Sequence, residues 1–161
     1  MQRVIDSPAG PLLIEAGERG LRRVEFARDE SPHPNPLPQG EGFAPLLDET
    51  ERQLREYFDG RRRAFDLSLD LAGSDFQRRV WRAIAAIPFG ETVSYAALAA
   101  AAGAPGAYRA AGAACGANPV AIVVPCHRVV GSDGGLHGFG GGLETKALLL
   151  QHEASLRYAH V

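Results

Sequence analysis

The sequence predicts an α+β protein: a small mixed or antiparallel N-terminal sheet with one helix, then a helical second half of helix-turn-helix, winged-helix-like character. Three patterns carry that expectation. Residues 1–27 alternate like strands, residues 46–58 and 76–87 are spaced like amphipathic helices, and two short alanine-rich helices joined through glycine fall between 95 and 116. Side chains alternate across a strand but return to one face of a helix every three or four residues, so the patterns are distinguishable. A change of texture at Gly73–Ser74 divides the chain into an N-terminal part, 1–73, and a C-terminal part, 74–161.

Pro8, Gly10 and Pro11 punctuate a first turn, and the segment LLIEA that follows alternates partly. A Gly-Glu-Arg-Gly turn at 17–20 then leads into LRRVEFA, so a β-hairpin or meander is expected. Residues 28–42, RDESPHPNPLPQGEG, are rich in proline and nearly devoid of apolar side chains. Such a segment cannot bury a core, and a flexible insertion is expected over 28–44. Apolar residues at 46, 47, 54, 57 and 58 among charges predict a helix. The alternation of Phe65, Leu67, Leu69 and Leu71 predicts a further strand. Ser74-Asp75 opens the next helix, whose apolar face is Phe76, Val80, Trp81, Ile84 and Ile87, and Pro88 and Gly90 stop it.

Thr92 or Ser94 opens a short helix over 95–102 that ends at Gly103, and Pro105 begins a second one running to Cys115 or Gly116. Two short helices about a glycine-containing turn form the helix-turn-helix pattern, although an ordinary helical hairpin reads the same way. Small side chains at 107 and 110–114 favour a helix that closely approaches another surface. The run AIVV at 121–124 predicts a buried strand leading into Pro125-Cys126-His127-Arg128. Seven glycines between 131 and 142 allow a sharp bend or a ligand against the backbone, and Leu143–Glu153 forms a last helix.

Composition narrows the function classes. With 45% hydrophobic and 22% charged residues the chain reads as soluble and globular. No apolar run is long enough to span a bilayer, and the start MQRVIDSPAG lacks a secretory signal, so a cytoplasmic, reducing location is expected. The net charge of −2 argues against a nucleic-acid binder, but arginines cluster at 61–63 and 78–82 and recur at Arg109 and Arg128. Local patches rather than the total decide phosphate contact. Cys115 and Cys126 lack metal-ligand spacing, so free thiols that hold no zinc are expected.

Cys126 follows a proline at the end of the expected strand and precedes His127 and Arg128. A thiolate is the nucleophilic form of cysteine, and a nearby imidazole can generate it. Adjacent strand residues point to opposite faces, so a water or a local twist must connect the two side chains. A third group would orient the imidazole, and Glu153 is the best-placed carboxylate. Cys115 has no such company and reads as structural.

The stretch IVVPCHRVV at 122–130 resembles the active-site signature of the O6-alkylguanine-DNA alkyltransferases. The resemblance extends through FQRRVWRAIAAIPFGETVSYAALA (76–99), AYRAAGAACGANPVAIVVPCHRVV (107–130) and GGLETKALLLQHE (141–153), and more loosely through the first 65 residues. It implies Cys126 as the alkyl acceptor, His127 as the base acting through a water, and Glu153 as the carboxylate that orients the histidine. It implies Tyr95 as the hydroxyl that helps protonate the departing guanine, and Arg109 as the side chain filling the gap left by an extruded base. Asn118 matches the asparagine of the turn after the recognition helix. Val129 and the loop at Phe139, Gly140 and Gly141 match backbone lining the guanine pocket, and Arg128 is grouped with these substrate and DNA contacts. Phe139 stands where tyrosine is common and Gly140 where a larger or hydroxyl residue is frequent.

The resemblance thus implies irreversible, single-turnover repair of double-stranded DNA containing O6-alkylguanine, acting on a flipped-out nucleotide. The protein would be a monomer, with no cofactor, metal or membrane partner. Two other readings compete. A non-catalytic lesion-binding module would lack the acceptor cysteine, whereas Cys126, His127 and Glu153 are all present. A cysteine hydrolase leaves the helix-turn-helix and its arginine unexplained.

Overall fold

The computed structural model describes residues 1–27, 44–133, 135, 139 and 142–156. They fall into two units, Met1–Ala72 and Gly73–Val161.

In the first unit, β1 (Gln2–Ile5), β2 (Leu12–Gly17) and β3 (Gly20–Phe26) form an antiparallel sheet in the order β1-β2-β3. Leu12, Ile14 and Ala16 of β2 alternate inward and are buried, because the side-chain period of two puts one face on the core. Glu18 and Arg19 form the tight β2–β3 loop. Gly20 then enters β3 with φ 151°, and a Cβ there would lie 2.6 Å from the Ser68 carbonyl oxygen. Helix α1 (Ala44–Phe58) buries Leu47, Leu54 and Tyr57, while its outer face carries ion pairs such as Arg55–Glu51 at 2.6 Å.

The strand expected over 65–71 does not form. A single bridge joins Leu21 to Leu69, and the Gln53 amide takes over the pairing upstream. Gln53 Nε2 donates to the Asp66 carbonyl at 2.9 Å, and the Asp66 N–H donates to Gln53 Oε1 at 2.9 Å. A buried side-chain amide can satisfy one donor and one acceptor, so the backbone has no need of a longer ladder there.

The second unit begins with α2 (Asp75–Ala85), capped reciprocally by Ser74 and Gln77. Each side chain satisfies the other residue's backbone N–H at the helix start. Trp81 Nε1 donates to the Ala114 carbonyl at 2.8 Å and ties α2 to the later helix α4 (Tyr108–Gly116). Strand β4 (Val93–Ser94) runs directly into α3 (Tyr95–Ala101), and Ser94 Oγ accepts from the Ala97 N–H as its cap. The turn from α3 to α4 needs two left-handed glycines, Gly103 at φ 82° and Gly106 at φ 88°. For that reason α4 starts at Tyr108 rather than at Pro105, since a helix cannot pass through Gly106 in that conformation.

The expected buried strand at 121–124 is also absent. The segment is a chain of tight turns, with Val124 N–H donating to Val120 O at 3.0 Å and Ile122 at φ 72°. Cys126–Arg128 forms a single 3₁₀ turn, followed by β5 (Val129–Val130), which pairs in parallel with β4 through Val93–Val129 and Ser94–Val130. Helix α5 (Leu143–Leu156) closes the unit, burying Lys146, Leu149 and Glu153 along one face.

Candidate active site

The short β4–β5 ladder brings two distant parts of the sequence together. Val129 lies three residues after Cys126 and Val93 two residues before Tyr95, so their pairing puts the start of α3 next to the 3₁₀ turn. Asn118 shapes the turn from the other side. Its Oδ1 accepts from the Val120 N–H at 3.0 Å and its Nδ2 donates to the Val124 carbonyl at 2.8 Å. These bonds hold together a segment in which Ile122, a buried β-branched residue, occupies the left-handed region. Such strain persists only where surrounding contacts over-determine it, and it concentrates at functional sites.

The 3₁₀ conformation replaces the strand geometry expected for Cys126 and His127, so the alternation of faces does not apply to them. His127 is fully buried, and its Nε2 lies 2.6 Å from Glu153 Oε2. Glu153 also accepts from Arg128 Nε at 2.8 Å, from Arg128 Nη2 at 3.1 Å and from the Gly90 N–H at 3.1 Å. Burial alone would raise its pKa, but hydrogen bonds from His127 and Arg128 with their charges carry it well below the usual carboxylate range. Burial lowers the His127 pKa, against the opposing pull of Glu153, so the ring is neutral near pH 7. With Glu153 ionised, Nε2 carries the imidazole hydrogen and Nδ1 is left with a lone pair. Among the described residues, Nδ1 is the buried side-chain nitrogen without a hydrogen-bond partner.

Cys126 is 8% exposed. The neighbouring Cys115 thiol, whose Sγ lies 3.8 Å from the Cys126 carbonyl oxygen, is the largest influence lowering its pKa, with smaller contributions from Asn118 and Lys146, while burial acts the other way. Tyr95 is half-buried, and burial together with the neighbouring cysteines raises its pKa, so its phenol keeps its proton. Lys146 Nζ sits 5.8 Å from the Tyr95 ring centroid. Lys146 had no place in the sequence reading, yet Lys146, Leu149 and Glu153 follow a 3–4 spacing that marks one helix face.

Arg128 requires a correction. It was expected among the substrate and DNA contacts, but it is 5% exposed and its guanidinium is spent inside the protein. Besides its bonds to Glu153, Nη1 donates to the Ile87 carbonyl at 2.6 Å, and the Phe89 ring centroid lies 5.6 Å from Cζ. A buried guanidinium with these partners positions Glu153 and cannot reach a phosphate. Arg109, in contrast, is exposed in the first turn of α4, where Ala110, Ala113, Gly116 and Ala117 are also exposed. That face is thus small-sided with one cation at its end. Tyr95, Ala96, Tyr108, Gly112, Gly131, Ser132 and Asp133 line an open cleft of about 640 Å³. Val129 is fully buried, Phe139 is half-buried with its carbonyl accepting from the Gly142 N–H, and Gly140 and Gly141 lie outside the described residues. No group of three or more metal-ligating side chains is found among the described residues.

Comparison with known proteins gives consistent matches along the chain. The family model "6-O-methylguanine DNA methyltransferase, ribonuclease-like domain" matches residues 1–71, and "6-O-methylguanine DNA methyltransferase, DNA binding domain" matches 75–155. The methylated-DNA--protein-cysteine methyltransferase of Methanosarcina barkeri is 44% identical over 150 residues, 93% of this chain and 94% of that protein. The Mycobacterium tuberculosis protein of the same name is 49% identical over 158 residues, covering 95% and 92%. Among solved structures, Mycobacterium tuberculosis OGT in complex with DNA matches with a TM-score of 0.84 at 46% identity, over 96% of this chain and 93% of that one. The O6-methylguanine DNA methyltransferase of Methanococcus jannaschii matches with a TM-score of 0.68 at 25% identity, over 94% and 93%.

Proposed function

The chain belongs to the 6-O-methylguanine DNA methyltransferase family, and on that premise we propose that it repairs DNA by moving an alkyl group from guanine O6 to the sulfur of its own Cys126. The observation that carries the assignment of residues is the buried His127–Glu153 pair, whose unpartnered imidazole nitrogen belongs to the residue directly after a cysteine of lowered pKa.

The chemistry follows from those groups. His127 Nδ1 takes the Cys126 proton through a water, and Glu153 stabilises the imidazolium that results. The thiolate attacks the alkyl carbon, a C–S bond forms, and the C–O6 bond breaks with its electron pair on guanine. The Tyr95 hydroxyl donates to the departing guanine, whose anion would otherwise leave poorly. The thioether has no easy path back to a thiol, so each molecule reacts once.

The target carbon is out of reach inside a duplex, so the nucleotide leaves the stack at a cost of roughly a few kcal/mol. The small-sided face of α4 suits close approach to a groove, and Arg109 at its first turn fills the vacated space. The protein acts as a monomer on double-stranded DNA carrying O6-alkylguanine, in the cytoplasm. In the described residues no helix is long and apolar enough to cross a membrane.

Incubation with a duplex containing O6-methylguanine, followed by intact and peptide mass spectrometry, tests the reading. One methyl group on Cys126 per molecule is expected, with Cys126→Ser binding DNA but accepting nothing. Repeated turnover by unmodified protein, or methylation at another residue, would sink it.

A further inference from the structure

Helix α4 carries small side chains along nearly its whole length, and its two large ones, Tyr108 and Arg109, stand together in the first turn. Successive helical residues point about 100° apart, so the two serve different faces. Tyr108 shares its face with Gly112, four residues on. Tyr108 is 50% exposed, and among the described residues its hydroxyl has no hydrogen-bond partner and its ring no ring or cation contact. A lone exposed aromatic is ordinary on a protein surface. This one, however, forms a wall of the 640 Å³ cleft, together with Tyr95, Ala96, Gly112 and the turn at 131–133. The Tyr95 ring lies against α4 at Gly112, where an added Cβ would come within 3.5 Å of Cδ1. Half-buried Tyr95 thus bounds the cleft on its inner side and Tyr108 at its outer rim.

The cleft selects against charge of one sign. Among the described residues no cation lines it, while Asp133 supplies a carboxylate fixed by the Gly135 N–H, which donates to Oδ1 at 2.8 Å. Lys146 lies near the Tyr95 ring but is fully buried and does not line the cleft. Such walls repel a phosphate and suit an uncharged group with an apolar face. Cys126 and Val129 are buried and do not line the cleft either.

We propose that Tyr108 is the platform for the deoxyribose of the extruded nucleotide, with the C–H face of the sugar lying on the phenol ring. The proposal rests on the alkyl-transfer function and adds a sugar subsite to it. A guanine that has passed Tyr95 to reach Cys126 leaves its sugar, joined to N9 by one bond, on the outer side of Tyr95. That is where the cleft lies. The sugar is the uncharged part of the strand, and its flanking phosphates turn away from Asp133. Bases on either side of the gap stay paired and keep their faces inside the duplex. No bond forms or breaks at Tyr108, which holds the nucleotide by a part that does not react.

The test compares O6-benzylguanine with O6-benzyl-2′-deoxyguanosine, which differ only by the sugar, in wild type, Tyr108→Ala and Tyr108→Phe. Second-order rate constants for benzyl transfer are measured by intact mass spectrometry, with peptide mapping of the adduct. The ratio of the nucleoside rate to the free-base rate should fall about fivefold to tenfold in Tyr108→Ala, the range of one aromatic contact. Tyr108→Phe keeps the ring face and should keep the wild-type ratio. The ratio also cancels any general loss of folded protein. An unmoved ratio in Tyr108→Ala would overturn the proposal, even with slower transfer from a duplex, because the ring would then touch DNA beyond the extruded nucleotide. A ratio that falls equally in Tyr108→Phe would overturn it too, since the hydroxyl would be the contact. Wild-type protein carrying no benzyl group on Cys126 after either substrate refutes the alkyl-transfer function and the platform with it. Benzyl on Cys126 with an unmoved ratio refutes the platform alone.

Discussion

His127 Nε2 lies 2.6 Å from Glu153 Oε2 with both side chains withdrawn from solvent, while the opposite ring nitrogen, Nδ1, has no partner among the described residues. The pair therefore fixes a tautomer as well as an orientation. The hydrogen on the Glu153 side leaves a lone pair on the other, the state a base requires.

Replacing Glu153 by Gln tests that relationship with little change in volume. The amide can still pair with the ring but cannot stabilise the imidazolium. Transfer to Cys126 should slow by about 10²-fold or more, the scale of general-base contributions. Rapid-quench transfer from an O6-methylguanine duplex reads this out, and a rate within twofold of wild type would show the carboxylate to be dispensable.

Arg128→Ala separates a positioning role from a nucleic-acid contact. Removing one partner of a buried ion pair strands the other, so unfolding free energy should fall by about 3–5 kcal/mol in denaturant titration. The salt dependence of DNA binding should keep its slope, because no phosphate contact has been lost. A shallower slope with intact stability would restore the DNA-contact assignment.

Acid should destabilise the folded chain in two stages. The folded His127 pKa lies below its usual 6.5, so the unfolded chain takes up a proton that the folded one refuses as pH drops under that value. The stability contributed by the neutral ring is complete above 6.5 and is lost as pH falls through the folded pKa. Glu153, also lowered, adds a second loss below its usual 4.5. Unfolding midpoints measured against pH should decline from about 6.5 downward, and His127→Asn should remove the upper limb and shrink the lower one, since the imidazole helps to lower the Glu153 pKa. An unchanged upper limb in that variant would place its origin elsewhere.

Arg109→Ala separates extrusion from chemistry. A side chain that fills the vacated stack matters only when a base leaves a duplex. Transfer from O6-methylguanine in double-stranded DNA should lose on the order of 1–3 kcal/mol, the scale of a stacking contact, while reaction with free O6-benzylguanine changes little. Equal slowing on both substrates would assign Arg109 to the fold or the pocket instead.

The sequence by itself determined what depends on local order. Alternation at Leu12, Ile14 and Ala16, the Ser74 cap with Gln77, and the helical face of Val80, Trp81 and Ile84 are short-range patterns that fix element type wherever the chain goes. It also offered Cys126, His127 and Glu153 as a candidate set, of which the structure pairs His127 with Glu153. What needed the tertiary structure was every decision made by a distant partner. Gln53 pairs with the backbone of Asp66 across thirteen residues and removes the need for a strand at 65–71. The run of Ala121 to Val124 is as apolar as a strand, but Asn118 and the Val120–Val124 hydrogen bond wind it into turns and force Ile122 to φ 72°. Arg128 looks like any exposed cation in the sequence, and only the arrival of Glu153, twenty-five residues on, draws it inside. Cys115 met the carbonyl of Cys126, eleven residues on, in the same way. Local propensity is written residue by residue, whereas the partner of a buried polar group is chosen only when packing excludes water and leaves it a single donor or acceptor to meet.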